Sequence, residues 1–200
     1  MVSQRTWNAH PHLAWAMWGL DEIEATLASI ESRLHSRAIV HPKVERAVVD
    51  VRMARDAFRK SVGEHAHVNE GALARSKADL EHQWAVFEDS VQNYLDMVDR
   101  QVSEQETVFR ARADAQSKAW LQAIDNLHQS ATHFAADHRS NIETAVKRLE
   151  SEANAARVKL DKLNNAEGAS WTAMRSALAE ARTALEHAHR SVLDALERAA

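Results

Sequence analysis

Residues 72–167 read ALARSKADLEHQWAVFEDSVQNYLDMVDRQVSEQETVFRARADAQSKAWLQAIDNLHQSATHFAADHRSNIETAVKRLESEANAARVKLDKLNNAE, from Ala72 to Glu167 without one glycine or proline. Those two residues are the usual punctuators of local structure, so the stretch reads as helix throughout. Leu73, Leu80, Trp84, Phe87, Val91, Tyr94 and Val98 form one apolar stripe. Phe109, Ala113, Gln116, Trp120, Ile124, Leu127, Ala131 and Phe134 form a second, and Ile142, Ala145, Leu149, Ala153, Ala156, Leu160 and Leu163 a third. Between stripes the seam fades. Ser103-Glu104-Gln105-Glu106 and Ser140-Asn141-Ile142-Glu143 each place Glu three residues after Ser, the capping-box spacing. The seam also takes successive steps of four beside both points, which are stutters in a heptad reading. Left unbroken, the run would be a rod of roughly 140 Å at 1.5 Å per residue. The spacing predicts a folded series instead, with at least one break near Asp137–Asn141.

The flanking sequence continues the pattern. Pro11 suits the first turn of a helix, where a missing N–H costs nothing. From there Leu13, Ala16, Leu20, Ile23, Leu27, Ile30 and Leu34 alternate spacings of three and four, the a/d seam of packed helices. Pro42 opens a second helix with Val44, Val48, Val51, Phe58 and Val62 inward and Arg55 at a position where an apolar residue is expected. Asn165 to Gly168 is a turn, and Ser170 caps a last helix carrying Trp171, Met174, Leu178, Ala181, Leu185, Ala188 and Val192. The expected fold is all-α: one domain, an elongated antiparallel helical bundle or coiled coil of about four to six helices. Its helices are expected over 11–37, 42–63, 70–101, 103–137, 140–165 and 169–198. The stripes are narrow and rich in alanine, so each helix is expected to touch two or three others rather than sit at a globular centre.

Composition removes several classes of function. One tyrosine, four phenylalanines, four glycines and two prolines leave little for a sheet. A net charge of −4 with interleaved signs implies no general attraction to nucleic acid. No cysteine is present, which rules out thiolate nucleophiles, thiolate metal sites and disulfides. Four scattered glycines provide neither a phosphate-cradling loop nor a nucleophile elbow. No apolar stretch approaches the roughly 20 residues of a spanning helix, and Leu13–Leu20 does not read as a secretory leader. The chain is expected to be cytoplasmic.

Twelve histidines are the main chemical signal. Two identical tetrapeptides, Glu64-His65-Ala66-His67 and Glu186-His187-Ala188-His189, contain Glu-x-x-His. That helical spacing supplies a carboxylate and an imidazole to one ion in di-metal carboxylate bundles. A turn near Asn165–Gly168 would set Glu150 opposite Glu186. Glu64, His65, His67, Glu150, Glu186, His187 and His189 are therefore the candidate divalent-metal ligands, although no cofactor is otherwise expected and solvated histidines are the simpler reading. His128, His133 and His138, five residues apart, spread around a helix and do not converge. Of the six tryptophans, Trp84, Trp120 and Trp171 fall on seams and read as core. Trp7, Trp15 and Trp18 cluster at the N-terminus, either packed across the bundle end or forming a partner-facing patch.

Leu160-Asp161-Lys162-Leu163, followed by Ala169-Ser170-Trp171-Thr172-Ala173-Met174-Arg175-Ser176-Ala177-Leu178, resembles a pattern in small bacterial coiled-coil proteins with apolipoprotein-like amphipathic helices. In those, a charged helix ends in a small-residue turn and a Trp-containing helix follows. The resemblance covers about residues 145–195 and implies a stress-related or lipid-surface-associated helical protein. The helical coats of polyester granules, the phasins, are similar in the same compositional sense. Three functions stand open from the sequence: a non-enzymatic scaffold or protein-interaction module that self-associates or binds a protein partner, an amphipathic protein that opens onto a lipid or granule surface, and a histidine/carboxylate metal-binding bundle.

Overall fold

A computed structural model describes residues 11–36, 40–65, 73–98, 102–132, 136–166 and 169–199. Among them are six helices and no strand: α1 (Pro11–His35), α2 (Pro42–His65), α3 (Leu73–Met97), α4 (Val102–Ala131), α5 (Ala136–Asn164) and α6 (Trp171–Glu197). Both prolines occupy the first position of a helix, where φ is already suited and no hydrogen bond is lost. Ahead of Pro42 the His41 carbonyl accepts from Val44 N at 2.9 Å, closing the first turn of α2. Ser170 caps α6 as expected, its hydroxyl oxygen accepting from Ala173 N at 3.2 Å.

The long run divides twice, at the α3–α4 and α4–α5 junctions. The longest helix has 30 residues, so roughly 45 Å of rod at most, far below the unbroken alternative. The second break lies ahead of the expected one. α5 begins at Ala136, which puts Ser140 inside the helix, where its carbonyl accepts from the Thr144 hydroxyl at 2.8 Å. Ser103 likewise sits just inside α4, its carbonyl accepting from Thr107 Oγ1 at 2.6 Å. Ser with Glu three residues on also occurs within helices, and the apolar stripe has no way to mark which copy is terminal.

The apolar seams are the core. Every expected apolar position in α2 is buried, as are Leu80, Phe87, Val91 and Tyr94 in α3 and Trp171 to Val192 along the α6 stripe. α2 packs on α3, α5 on α6, and α1 on α4, which makes two hairpins flanking a central pair. α1 touches α2, α3, α4 and α6, four neighbours rather than two or three. It manages this without being apolar all round, because Glu22 and Thr26 are buried beside Ile23, Leu27 and Ile30. The Thr26 hydroxyl donates to the Glu22 carbonyl at 2.7 Å, so that polar group is satisfied within the helix. α3 and α4, consecutive in the chain, meet through side chains rather than by close backbone packing, with Tyr94 donating to Glu104.

Gly19 marks the tightest place. A Cβ there would stand 3.2 Å from Trp84 and 3.3 Å from Phe58, whereas a Cβ at Gly63 meets nothing within 4 Å. Replacing Gly19 by Leu is expected to cost about 1–3 kcal/mol by overpacking. Gly63→Ala, in the last turn of α2, is expected to gain about 0.5–1 kcal/mol from reduced backbone entropy. Urea unfolding of the two variants checks this, and shifts of the same sign would refute the assigned packing.

Candidate functional site: a sealed ionic core and the recesses around it

The densest polar chemistry lies inside the bundle. Arg112 of α4 is 1% exposed and Glu22 of α1 is fully buried. Arg112 Nε donates to Glu22 Oε1 at 2.6 Å, while its two terminal nitrogens bond the Glu88 carboxylate of α3, Nη1 to Oε2 at 3.3 Å. The other oxygen of Glu22 accepts from Gln116 Nε2 at 2.7 Å and from Arg182 of α6. Arg175, also of α6, reaches Glu88 at 3.2 Å from the surface side. Four helices therefore meet in one network of two carboxylates, three guanidinium groups and an amide.

Aromatic rings wall it in. The Arg182 guanidinium carbon lies 3.8 Å from the centroid of Trp84, a cation–π contact. Arg112 stands 5.8 Å from Trp84, 5.9 Å from Phe87 and 6.0 Å from Trp171. Burial by itself would raise the Glu22 pKa. The adjacent Arg182 and Arg112 charges and the Gln116 amide outweigh it and hold the carboxyl below its ordinary range. Burial likewise works against the Arg112 charge, and Glu88 and Glu22 more than offset it, so the group stays protonated. Each ion taken out of water costs several kcal/mol, and only full pairing recovers it. This arrangement holds helices together. It offers no open coordination position and no unengaged base.

The expected metal ligands are dispersed. Glu150 does not meet Glu186. It turns toward α4 and pairs with His128 at 2.8 Å, while Glu186 pairs with Arg190 within its own helix. One residue is 100° of helix rotation, and on α5 it is Arg148 and Glu152 that share a recess with His187. His189 faces inward, 2% exposed, its ring 5.2 Å from Trp18. On the other tetrapeptide, His65 bonds Asp79 of α3 at 3.0 Å and Glu64 pairs with Lys60, while His67 lies outside the described residues. The His65 bond holds Asp79 below its usual range against a small opposing effect of burial. Among the described residues no three histidines or carboxylates converge to hold a metal ion.

Two of the three N-terminal tryptophans pack within the bundle. Trp18 is buried, and Trp15 stacks edge-on against Phe58 at 6.3 Å and Trp84 at 6.2 Å, while Trp7 lies outside the described residues. The ionic core is the part that sequence reasoning missed, apart from Gln116, which falls on the α4 seam. Its signal is a buried column at i, i+4, Trp18–Glu22–Thr26 and Val108–Arg112–Gln116, with one large apolar residue a turn ahead of each charge and a polar residue a turn after it.

Outside the core, inter-helix recesses open to solvent. The α1/α4 recess, of about 490 Å³, has a floor of Ala25, Ala111, Ala115 and Ala119 below Asp21, Asp114 and Lys118. Burial, then the Glu24 charge, raises the Asp21 pKa. A recess of about 470 Å³ between α5 and α6 includes Arg148 and Arg198. The exposed large apolar residues Val49, Met53, Val86, Met97, Val102, Leu121 and Val158 are spread over α2 to α5. No helix is long and apolar enough to cross a membrane among the described residues. Compared with protein families, curated proteins and solved structures, the chain has no match.

Two outcomes test this site. Arg112→Met, which removes the guanidinium shared by Glu22 and Glu88, is expected to lower stability by about 3–5 kcal/mol, whereas replacing the whole network with apolar residues of similar volume is expected to be near neutral. His189, pushed down to about 4 by burial, stays neutral in the fold while the unfolded chain titrates near 6.5. The unfolded chain then binds more protons between those values, so stability falls as pH drops from 6.5 to 4. The loss approaches roughly 3 kcal/mol at 1.4 kcal/mol per unit. Urea midpoints at pH 7, 5 and 4 measure it, and His189→Leu should flatten that slope. Glu22, with its depressed pKa, adds its own loss only at lower pH, as the pH falls through its folded value.

Proposed function

We propose that this chain is a non-enzymatic helical scaffold that acts by presenting helix faces to protein partners, copies of itself included. The observation that carries this reading is the closure of the ionic core. Glu22, Glu88, Arg112 and Arg182 engage one another and are at most 7% exposed. A catalytic pair needs reach to a substrate, and these groups are committed to joining α1, α3, α4 and α6. What remains accessible is helix surface: paired charges such as Arg52–Glu31 at 2.7 Å, and alanine-floored recesses shallow enough for another helix to approach. A cytoplasmic setting fits that role.

The amphipathic alternative, opening onto a lipid or granule surface, draws on the α5–α6 hairpin, where the resemblance to proteins with apolipoprotein-like amphipathic helices falls and where α6 separates apolar from polar residues most cleanly. Opening would separate Arg182 from Glu22 and Trp84, which ties any such transition to breaking the ionic core. A histidine/carboxylate metal role is supported only by two-residue pairs, His65–Asp79 and His128–Glu150.

Light scattering across a concentration series tests the leading reading. The expected result is a mass above the 22.4 kDa of one chain that rises with concentration. A constant monomer mass removes self-association. Co-sedimentation with liposomes accompanied by loss of the folded near-ultraviolet signal would replace the scaffold reading with the amphipathic one.

A further inference from the structure

Arg148 and Arg198 are the feature that the scaffold reading leaves unused. Arg148 stands on α5 and Arg198 at the C-terminal cap of α6, and both line the 470 Å³ recess together with Asn141 and Ser191 over Ala145 and Ala195. That volume falls in the range of small-molecule sites. Among the described residues no carboxylate lines it. The chain carries a net charge of −4, so a recess lined by two cations and no acid runs against its average. Five other arginines at the surface face carboxylates: Arg52 faces Glu31, Arg55 and Arg59 face Glu24, Arg175 faces Glu88, and Arg190 faces Glu186. Among the described residues neither Arg148 nor Arg198 has such a partner.

We propose that this recess binds the phosphomonoester group of a ligand. Planar guanidinium forks match the oxygens of a tetrahedral dianion, and two of them beside one recess balance its charge. The Asn141 side chain adds an amide donor. The Ser191 hydroxyl gives its proton to the His187 carbonyl at 3.1 Å, and Thr144 gives its own to the Ser140 carbonyl at 2.8 Å, so charge neutralisation falls to the arginines. Alanines at the floor let the anion approach the helix backbones. Arg148 is also a wall of the adjoining recess of about 200 Å³, which holds Glu152 and His187. Hydroxyl or amine groups of the esterified part have hydrogen-bonding partners there, which favours an ester over free phosphate. The same group is offered by a soluble metabolite or by a lipid headgroup.

Three probes on the full chain separate the sources: inorganic phosphate and glycerol 3-phosphate by calorimetry, and phosphatidylcholine vesicles with and without phosphatidic acid by co-sedimentation. Glycerol 3-phosphate is expected to bind more tightly than phosphate. Arg148→Gln and Arg198→Gln are each expected to weaken it about tenfold or more, with the unfolding midpoint unchanged because both side chains are exposed. Binding of the soluble ester assigns the site to a soluble ligand, and binding confined to phosphatidic-acid vesicles assigns it to a headgroup, again with loss in both variants. No binding of any probe, or binding that survives the double substitution, overturns the proposal.

Discussion

The guanidinium of Arg112 is the constraint on which the bundle depends. It bonds both Glu22 and Glu88, and through them it ties α4 to α1 and α3. Arg182 then brings α6 to Glu22 and lays its own charge on Trp84. The two hairpins satisfy their apolar faces locally, but apolar seams of alanine and leucine accept several rotations and registers with little difference in energy. A buried charge does not. Sliding α4 by one turn would part Arg112 from Glu22 and Glu88 and leave a guanidinium unpaired in a dry interior, at a cost of several kcal/mol. The ions contribute register, and the apolar seams contribute most of the cohesion.

That division explains what the sequence discloses. Helices show because their apolar residues recur every three or four positions, a relation readable within one turn, and Ser170 shows because its partner is three residues away. The register of the bundle rests on pairs separated by 24, 90 and 160 residues, Arg112–Glu88, Arg112–Glu22 and Arg182–Glu22. In isolation each of those charges is one more polar residue flanking a seam. Gln116 is the intermediate case, placed on the seam by its spacing while its role, donating to Glu22, depends on α1. The metal constellation went the other way. Glu-x-x-His is a local pattern and was legible at once, but its convergence is a long-range matter, and helix rotation sends Glu150, Glu186 and His189 to three different neighbours.

Breaks within the long run obey the same distinction. A helix ends where tertiary packing rewards reversal, and glycine is a common aid rather than a requirement. The α3–α4 junction is followed directly by Glu104, which reaches Tyr94 and lies 3.3 Å from Arg33 of α1. Contacts of this kind reward reversal at that point without any residue there announcing it.

The wide separation of Glu22 from Arg182 has a consequence for synthesis. On a growing chain, α1 emerges before α4 and α6 with a carboxylate that is buried in the folded bundle, and of its two guanidinium partners Arg112 is made earlier and Arg182 160 residues after Glu22. Until then α2 with α3, and later α5 with α6, have local partners, while the inward face of α1 carries an ion whose interior site is incomplete. Closure of the centre is thereby deferred until α6 is made, and a nascent chain stalled before Trp171 retains an open, charged seam rather than a sealed centre.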